Sequence, residues 1–204
     1  MSFQVKTPEQ EVKIPEYWNV IFLNGEINEG TAIDISQRLL SIDLINQNLD
    51  KPEPVNLVIN SGGGSLNAAW QICDMMDFID TPVYTVGLGV IASAALVIFM
   101  NGNKGHRILS SRCSLMSHQY SWGAVGNHSD LLAVRKEQDV TMAKILKHYK
   151  ETTKLSEKVI TANLLKEHDV WLTPEEAIKF HIADKIVTTK KKKKINGRTS
   201  KISK

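Results

Sequence analysis

Cysteine is scarce in this chain. The two present among 204 residues, Cys73 and Cys113, have no paired spacing. A disulfide framework is therefore excluded, and buried free thiols in a reducing compartment are expected. No H-E-x-x-H element and no cluster of Cys and His occurs, so neither a metal nor any other cofactor is expected. The longest apolar run, about Val90 to Met100, is too short to span a bilayer, and Met1 to Pro8 lacks the apolar core of a signal peptide. A soluble, cytoplasmic protein with no membrane partner is the expectation. Charge of one sign is lacking too: the formal net charge is only +3. Much of the basic excess lies in Lys190-Lys191-Lys192-Lys193-Lys194 and the residues to Lys204, which read as a disordered, solvated tail. No nucleic-acid partner is expected.

What is present suits one α/β domain, since a 204-residue chain that is 42% hydrophobic can bury a sizeable core. Strand-like and helix-like stretches alternate. A strand near Val20 to Leu23 is followed by an amphipathic helix over about Ala32 to Asn46, with Ile33, Leu39, Leu40 and Leu44 as candidate core positions. Val55 to Ile59 reads as a strand, Leu66 to Ile79 as a helix, and Val83 to Val86 as a strand ended by Gly87 and Gly89. Such an order favours right-handed crossovers on a central sheet. From Asp130 to Tyr149, Leu131, Val134, Met142, Ile145, Leu146 and Tyr149 mark a long, heavily charged helix.

Four stretches carry candidate chemistry. Ser93 stands between the strand-like run and the wholly apolar Leu96 to Met100, at a helix start where unpaired N–H groups can stabilise negative charge. The same position suits a plain helix cap. Asn60-Ser61-Gly62-Gly63-Gly64-Ser65 links a strand to a helix, and its glycines let the backbone approach a bound group, although an ordinary tight turn has the same composition. It matches neither G-x-x-x-x-G-K-[ST] nor G-x-G-x-x-G. His118, after Ser114-Leu115-Met116-Ser117, can serve as a general base, with His106 and His128 as rivals. In Asp169-Val170-Trp171-Leu172-Thr173-Pro174-Glu175-Glu176, Thr173, Pro174 and Glu176 form a helix-start capping box. Asp169 lies in the connection before it, where a carboxylate can orient an imidazole or merely complete a turn.

Together these stretches resemble the Clp protease proteolytic subunit family from about Val20 to Val187. The shared landmarks are Val20 to Glu26, Ile59 to Gly64, Ala92-Ser93-Ala94, His118-Gln119, Asp169 ahead of Leu172 to Ala177, and Ile182 to Ile186. The resemblance implies a ClpP/crotonase-like α/β spiral of repeated β-β-α units with a projecting long helix. It further implies a serine endopeptidase with Ser93 as nucleophile, His118 as general base and Asp169 orienting it. The N–H groups of Gly64 and Ala94 would form the oxyanion hole. Gly63, and Gly123, Ala124, Val125 and Gly126 after His118, would lie beside the extended substrate. The implied layout is an N-terminal segment (1–19), a serine peptidase domain (20–188) and the basic tail (189–204).

The implied partners are further copies of the chain in stacked heptameric rings, an AAA+ ATPase unfoldase, and unfolded polypeptides as substrates. This chain departs from the family's usual residues at Gly62, at Val90 and Ile91, at Ala94 and Ala95 after the serine, and at Tyr120 after His118-Gln119. Two alternatives follow. One is a crotonase-type acyl-CoA enzyme, which shares the glycine-rich oxyanion loop without needing Ser93, and the other is a weakly active structural ring subunit.

Overall fold

The computed structural model describes residues 17–187. Residues 1–16 of the expected N-terminal segment and the whole expected basic tail lie outside the described residues. Five strands form the main sheet in the order β1 (Val20–Ile27), β2 (Val55–Gly64), β3 (Val83–Ala92), β4 (Arg107–Ser110) and β7 (Lys185–Val187), each pair parallel. Parallel strands need long crossovers. The first are supplied by α1 (Glu29–Asn46) and α2 (Leu66–Phe78), each begun by a side chain that caps it, Asn28 on the Thr31 N–H and Ser65 on the Ala68 N–H.

The strand signals in the sequence stop short of the real strands. Val55 to Ile59 continues through the glycines to Gly64, and Val83 to Val86 continues past Gly87 and Gly89 to Ala92. Each long strand shifts register midway: β1 against β2 between Asn24 and Glu26, and β2 against β3 between Ile59 and Ser61. β3 changes partner, pairing with β4 at Thr85 to Gly87 and with β5 (Ser114–Ser117) at Val90 to Ala92. A strand that bends and changes neighbours acts as two. The repeat is thus strand, strand, helix, in agreement with the expected β-β-α spiral.

Beyond β3 lies α3 (Ala94–Met100), buried along its whole length. Its side chains from Leu96 to Met100 are each worth roughly 1.5–3 kcal/mol of burial, so this short helix anchors the middle of the core. β6 (Val170–Leu172) runs antiparallel to β5. α5 (Glu157–Asn163) precedes it, and α6 (Pro174–Lys179) follows with the predicted Thr173–Glu176 capping box.

Two helices correct the sequence expectation. In α1 the buried side is Ala32, Ile35, Leu39 and Ile42, while Ile33, Leu40 and Leu44 are exposed. Apolar residues occupy two sides of this helix, so periodicity alone does not choose the inner one; packing on the sheet and α2 does. The long helix α4 runs His128–Thr153, but Leu131 is exposed and burial is confined to Gln138 onward. Its first turns project, and its last turns dock on α3 through His148, whose Nε2 lies 3.0 Å from the Val97 carbonyl oxygen and whose ring meets Trp70 edge-on. Burial pushes the His148 imidazole below its ordinary value.

Candidate active site

The topology gathers the candidate residues at the carboxyl ends of the strands, where open α/β sheets bind ligands. Gly63 and Gly64 end β2, Ser93 follows β3, and His118 follows β5. Because β6 is antiparallel to β5, with Ser117 opposite Val170, the residue before β6 comes beside the residue after β5. That pairing is what brings Asp169 to His118 across fifty residues of chain.

Ser93 sits at φ 54° and ψ −123°, a backbone conformation that costs a non-glycine residue roughly 1–3 kcal/mol. Its N–H donates to the Met116 carbonyl at 3.0 Å, tying it to β5. The helix-cap alternative is answered by geometry. The hydroxyl caps nothing in α3; instead Oγ lies 2.7 Å from His118 Nε2. A sharp strand-to-helix turn that presents a serine hydroxyl is the arrangement of a nucleophile elbow.

Among the rivals, His106 stacks on Tyr84 with ring centroids 3.8 Å apart, and His128 opens the projecting helix. On the far side of His118, Nδ1 is 3.7 Å from Asp169 Oδ1, an ion-pair separation longer than a hydrogen bond, and the aspartate side chain is 54% exposed. The two thiols stay out of the chemistry: both are buried, and burial pushes Cys113 up to about 11 and Cys73 well upward.

The glycine loop is close-packed against the serine. Gly63 has φ +101°, and a Cβ there would stand 2.7 Å from the Ala92 carbonyl oxygen and 2.9 Å from Ser93 Cβ. A Cβ on Gly64 would collide with the Ile27 backbone. Ser61 braces the loop by accepting the Gly63 N–H at 3.1 Å and donating to the Gly25 carbonyl. Gly64, Ser93, Ala94 and His118 line one open cavity of about 250 Å³. Ala94 is the first residue of α3, and a first-turn N–H has no acceptor within its own helix. The segment after His118 is irregular from Gln119 to Asn127, with Gly123, Val125 and Gly126 exposed and Ala124 partly so.

The cavity has walls that motif reading did not identify. Leu66, Val97 and Tyr120 line it, together with Ile145 and Tyr149 of α4. Ile145 and Tyr149, spaced i and i+4, are visible in the sequence only as core positions. Among the described residues no cluster of three His, Cys, Asp or Glu could hold a metal, and no helix is long and apolar enough to cross a membrane.

The Clp protease family model matches residues 13–190. The ATP-dependent Clp protease proteolytic subunit 2 of Treponema denticola is 30% identical over 188 residues, covering 91% of each chain. The subunit of the same name from Bifidobacterium longum is 33% identical over 172 residues, covering 83% of this chain and 79% of its own. Among solved structures, a ClpP1 mutant from Listeria monocytogenes superposes with a TM-score of 0.74 at 28% identity, covering 85% of this chain and 93% of that one.

Proposed function

The chain belongs to the Clp protease family, and from that premise we propose that residues 20–188 form a serine endopeptidase working through Ser93, His118 and Asp169. The observation that carries the reading is the 2.7 Å approach of Ser93 Oγ to His118 Nε2, from a serine held at positive φ beside the glycine loop. His118 Nε2 takes the hydroxyl proton as Oγ attacks the peptide carbonyl, and returns it to the departing amine. Asp169 steadies the Nδ1–H side of the ring. The N–H groups of Gly64 and Ala94 receive the oxyanion, a donor of this kind being worth roughly 2.7–4 kcal/mol in the transition state. Water then resolves the acyl-enzyme by the same route. The Ser93–His118 contact is one that acyl-CoA chemistry of the crotonase type does not call for.

The substrate is an extended polypeptide. The cavity is open and lined by both apolar and polar side chains, and the irregular segment holding Gly123, Ala124, Val125 and Gly126 offers main chain that a peptide can pair with. Gly63, packed against Ser93 and Ala94, adjoins the same site. Family members form oligomeric rings with ATPase partners. For this chain we propose stacked heptameric rings fed with unfolded protein by an AAA+ ATPase, with no further cofactor in the hydrolytic step. The projecting turns of α4, with Leu131, Leu132 and Val140 exposed, supply an apolar surface for such assembly. Two buried free thiols suit a cytoplasmic setting.

A fluorophosphonate probe tests the chemistry. Wild type should label and cleave an unfolded reporter in the presence of an ATPase, and Ser93→Ala should do neither. A wild type that neither labels nor cleaves, but sediments as a ring, would return the weakly active structural subunit.

A further inference from the structure

One buried polar pair has no part in the mechanism above. Ser117 ends β5 immediately before His118 and is wholly buried; Tyr149, near the end of α4, is 2% exposed. Their hydroxyls are 2.8 Å apart, each removed from water and held by the other. Burial pushes the Tyr149 phenol up to about 12, so it remains a neutral hydroxyl wherever hydrolysis is measured.

On one side β5 pairs with β3, and the Ser93 N–H donates to the Met116 carbonyl at 3.0 Å; the other ties around His118 run the opposite way. Ser117 pairs with Val170, the Gln119 N–H donates to the Lys166 carbonyl at 3.1 Å, and Gln119 Nε2 donates to the Leu165 carbonyl at 3.0 Å. All three ties lead to β6 or to the residues just before it. The Ser117–Tyr149 bond is the one that leads to α4. From there His148, next to Tyr149, reaches the Val97 carbonyl of α3, the helix that begins directly after Ser93.

We propose that the Ser117–Tyr149 hydrogen bond is a positioning device for the reaction. It closes a ring of contacts running from Ser93 through α3, His148, Tyr149 and Ser117 to His118, and so fixes, together with the β3–β5 pairing, the distance between Oγ and Nε2. Tyr149 and Ser117 are positioning residues, acting through His118. The proposal rests on the peptidase reading. It adds a tie between the catalytic base and the wall of the substrate cavity, so that a shift of α4 reaches the base directly.

The test is a double-mutant cycle of Ser117→Ala and Tyr149→Phe, read at a temperature far below melting. Ser117 does not line the cavity, so its truncation removes no substrate contact. Each single variant should lower kcat and the rate of fluorophosphonate labelling about tenfold, the scale of a sub-ångström misplacement, with KM within about twofold. The double variant should lose about tenfold in total, as each single does, rather than about a hundredfold, because both substitutions remove the same bond. Singles that keep kcat and labelling, a rise in KM alone, or losses that multiply would each overturn the proposal. The His118 ring signals in a 1H–15N spectrum give a readout independent of turnover, and they should shift and broaden in Ser117→Ala. A wild type that does not label would sink the peptidase reading; unmoved His118 signals would separately sink the positioning.

Discussion

Replacing Gly63 by alanine separates the stability of the fold from the chemistry of the site. The added Cβ would stand 2.7 Å from the Ala92 carbonyl oxygen, 2.9 Å from Ser93 Cβ and 3.2 Å from the Ala94 nitrogen, where ordinary contact begins near 3.4 Å. None of these neighbours is the far end of a flexible side chain, so β2 and the Ser93 turn must part by about 0.5–0.7 Å. The backbone at φ +101° adds strain of roughly 1–3 kcal/mol, and overpacking adds a similar amount. A loss of about 3 kcal/mol, or about 10 °C in melting temperature, is expected.

The displacement falls on Ser93 and on the Ala94 N–H. Labelling by a fluorophosphonate should therefore slow by about tenfold to a hundredfold even in the fully folded variant. Gly62→Ala is the control, since a Cβ there meets nothing within 4 Å and its φ is not positive; it should stay within about 1 kcal/mol and label normally. Urea unfolding measures the first effect and the second-order labelling rate the second. Equal behaviour of the two alanine variants in both assays would refute the close packing of the glycine loop on the serine.

Three further outcomes follow from the same geometry. Asp169→Asn should cost about tenfold in kcat, far less than the ~10⁴ of a buried triad aspartate, because the carboxylate is half exposed and 3.7 Å from Nδ1; a loss near 10⁴ would mean that the pair tightens when substrate binds. At Asp184, burial raises the carboxyl, but the side-chain and backbone hydrogen bonds from Arg107, with its charge and the Gly105 N–H, outweigh it and hold the group below its ordinary 3.8. A lowered folded-state value gives stability that is present above the unfolded value and lost as pH falls through the folded one. Asp184→Asn, which leaves the buried Arg107 without its carboxylate, should therefore cost about 3 kcal/mol at pH 7, and the gap in melting temperature should narrow in acid. A gap that persists at low pH would contradict this. Val125→Pro, at a fully exposed site in the irregular segment, should slow peptide cleavage and leave probe labelling unchanged; unchanged cleavage would remove that segment from the substrate path.

Much of the architecture is legible without coordinates. Local rules marked the strand beginnings, the buried run after Ser93 and the capping box at Thr173, since each depends on neighbours a few residues away. The strand endings were not legible: glycine reads as a breaker, yet β2 and β3 run on past their glycines, with Gly63 and Gly64 paired to Glu26 and Ile27 and Gly87 to Ile59 and Leu109. In α1, Leu39 is buried while Ile33, Leu40 and Leu44 are not, a choice made by what packs against the helix. Ile145 and Tyr149 read as ordinary core residues of α4; only docking of that helix on α3 makes them a wall of the cavity.

The sequence by itself determined the chemical inventory: a serine at a helix start, a glycine loop before it, a histidine and an aspartate after it, and the family to which that order belongs. Tertiary structure alone decided that the Ser93 hydroxyl meets His118 rather than capping its own helix, and that His106 is occupied with Tyr84. It also decided that Asp169 stands off at 3.7 Å and that Ser117 is tied to Tyr149. Residue type and local spacing act over a turn of helix or a pair of strand residues. A catalytic distance is set by strand register and helix docking across the chain, and those follow from the packing of the whole core.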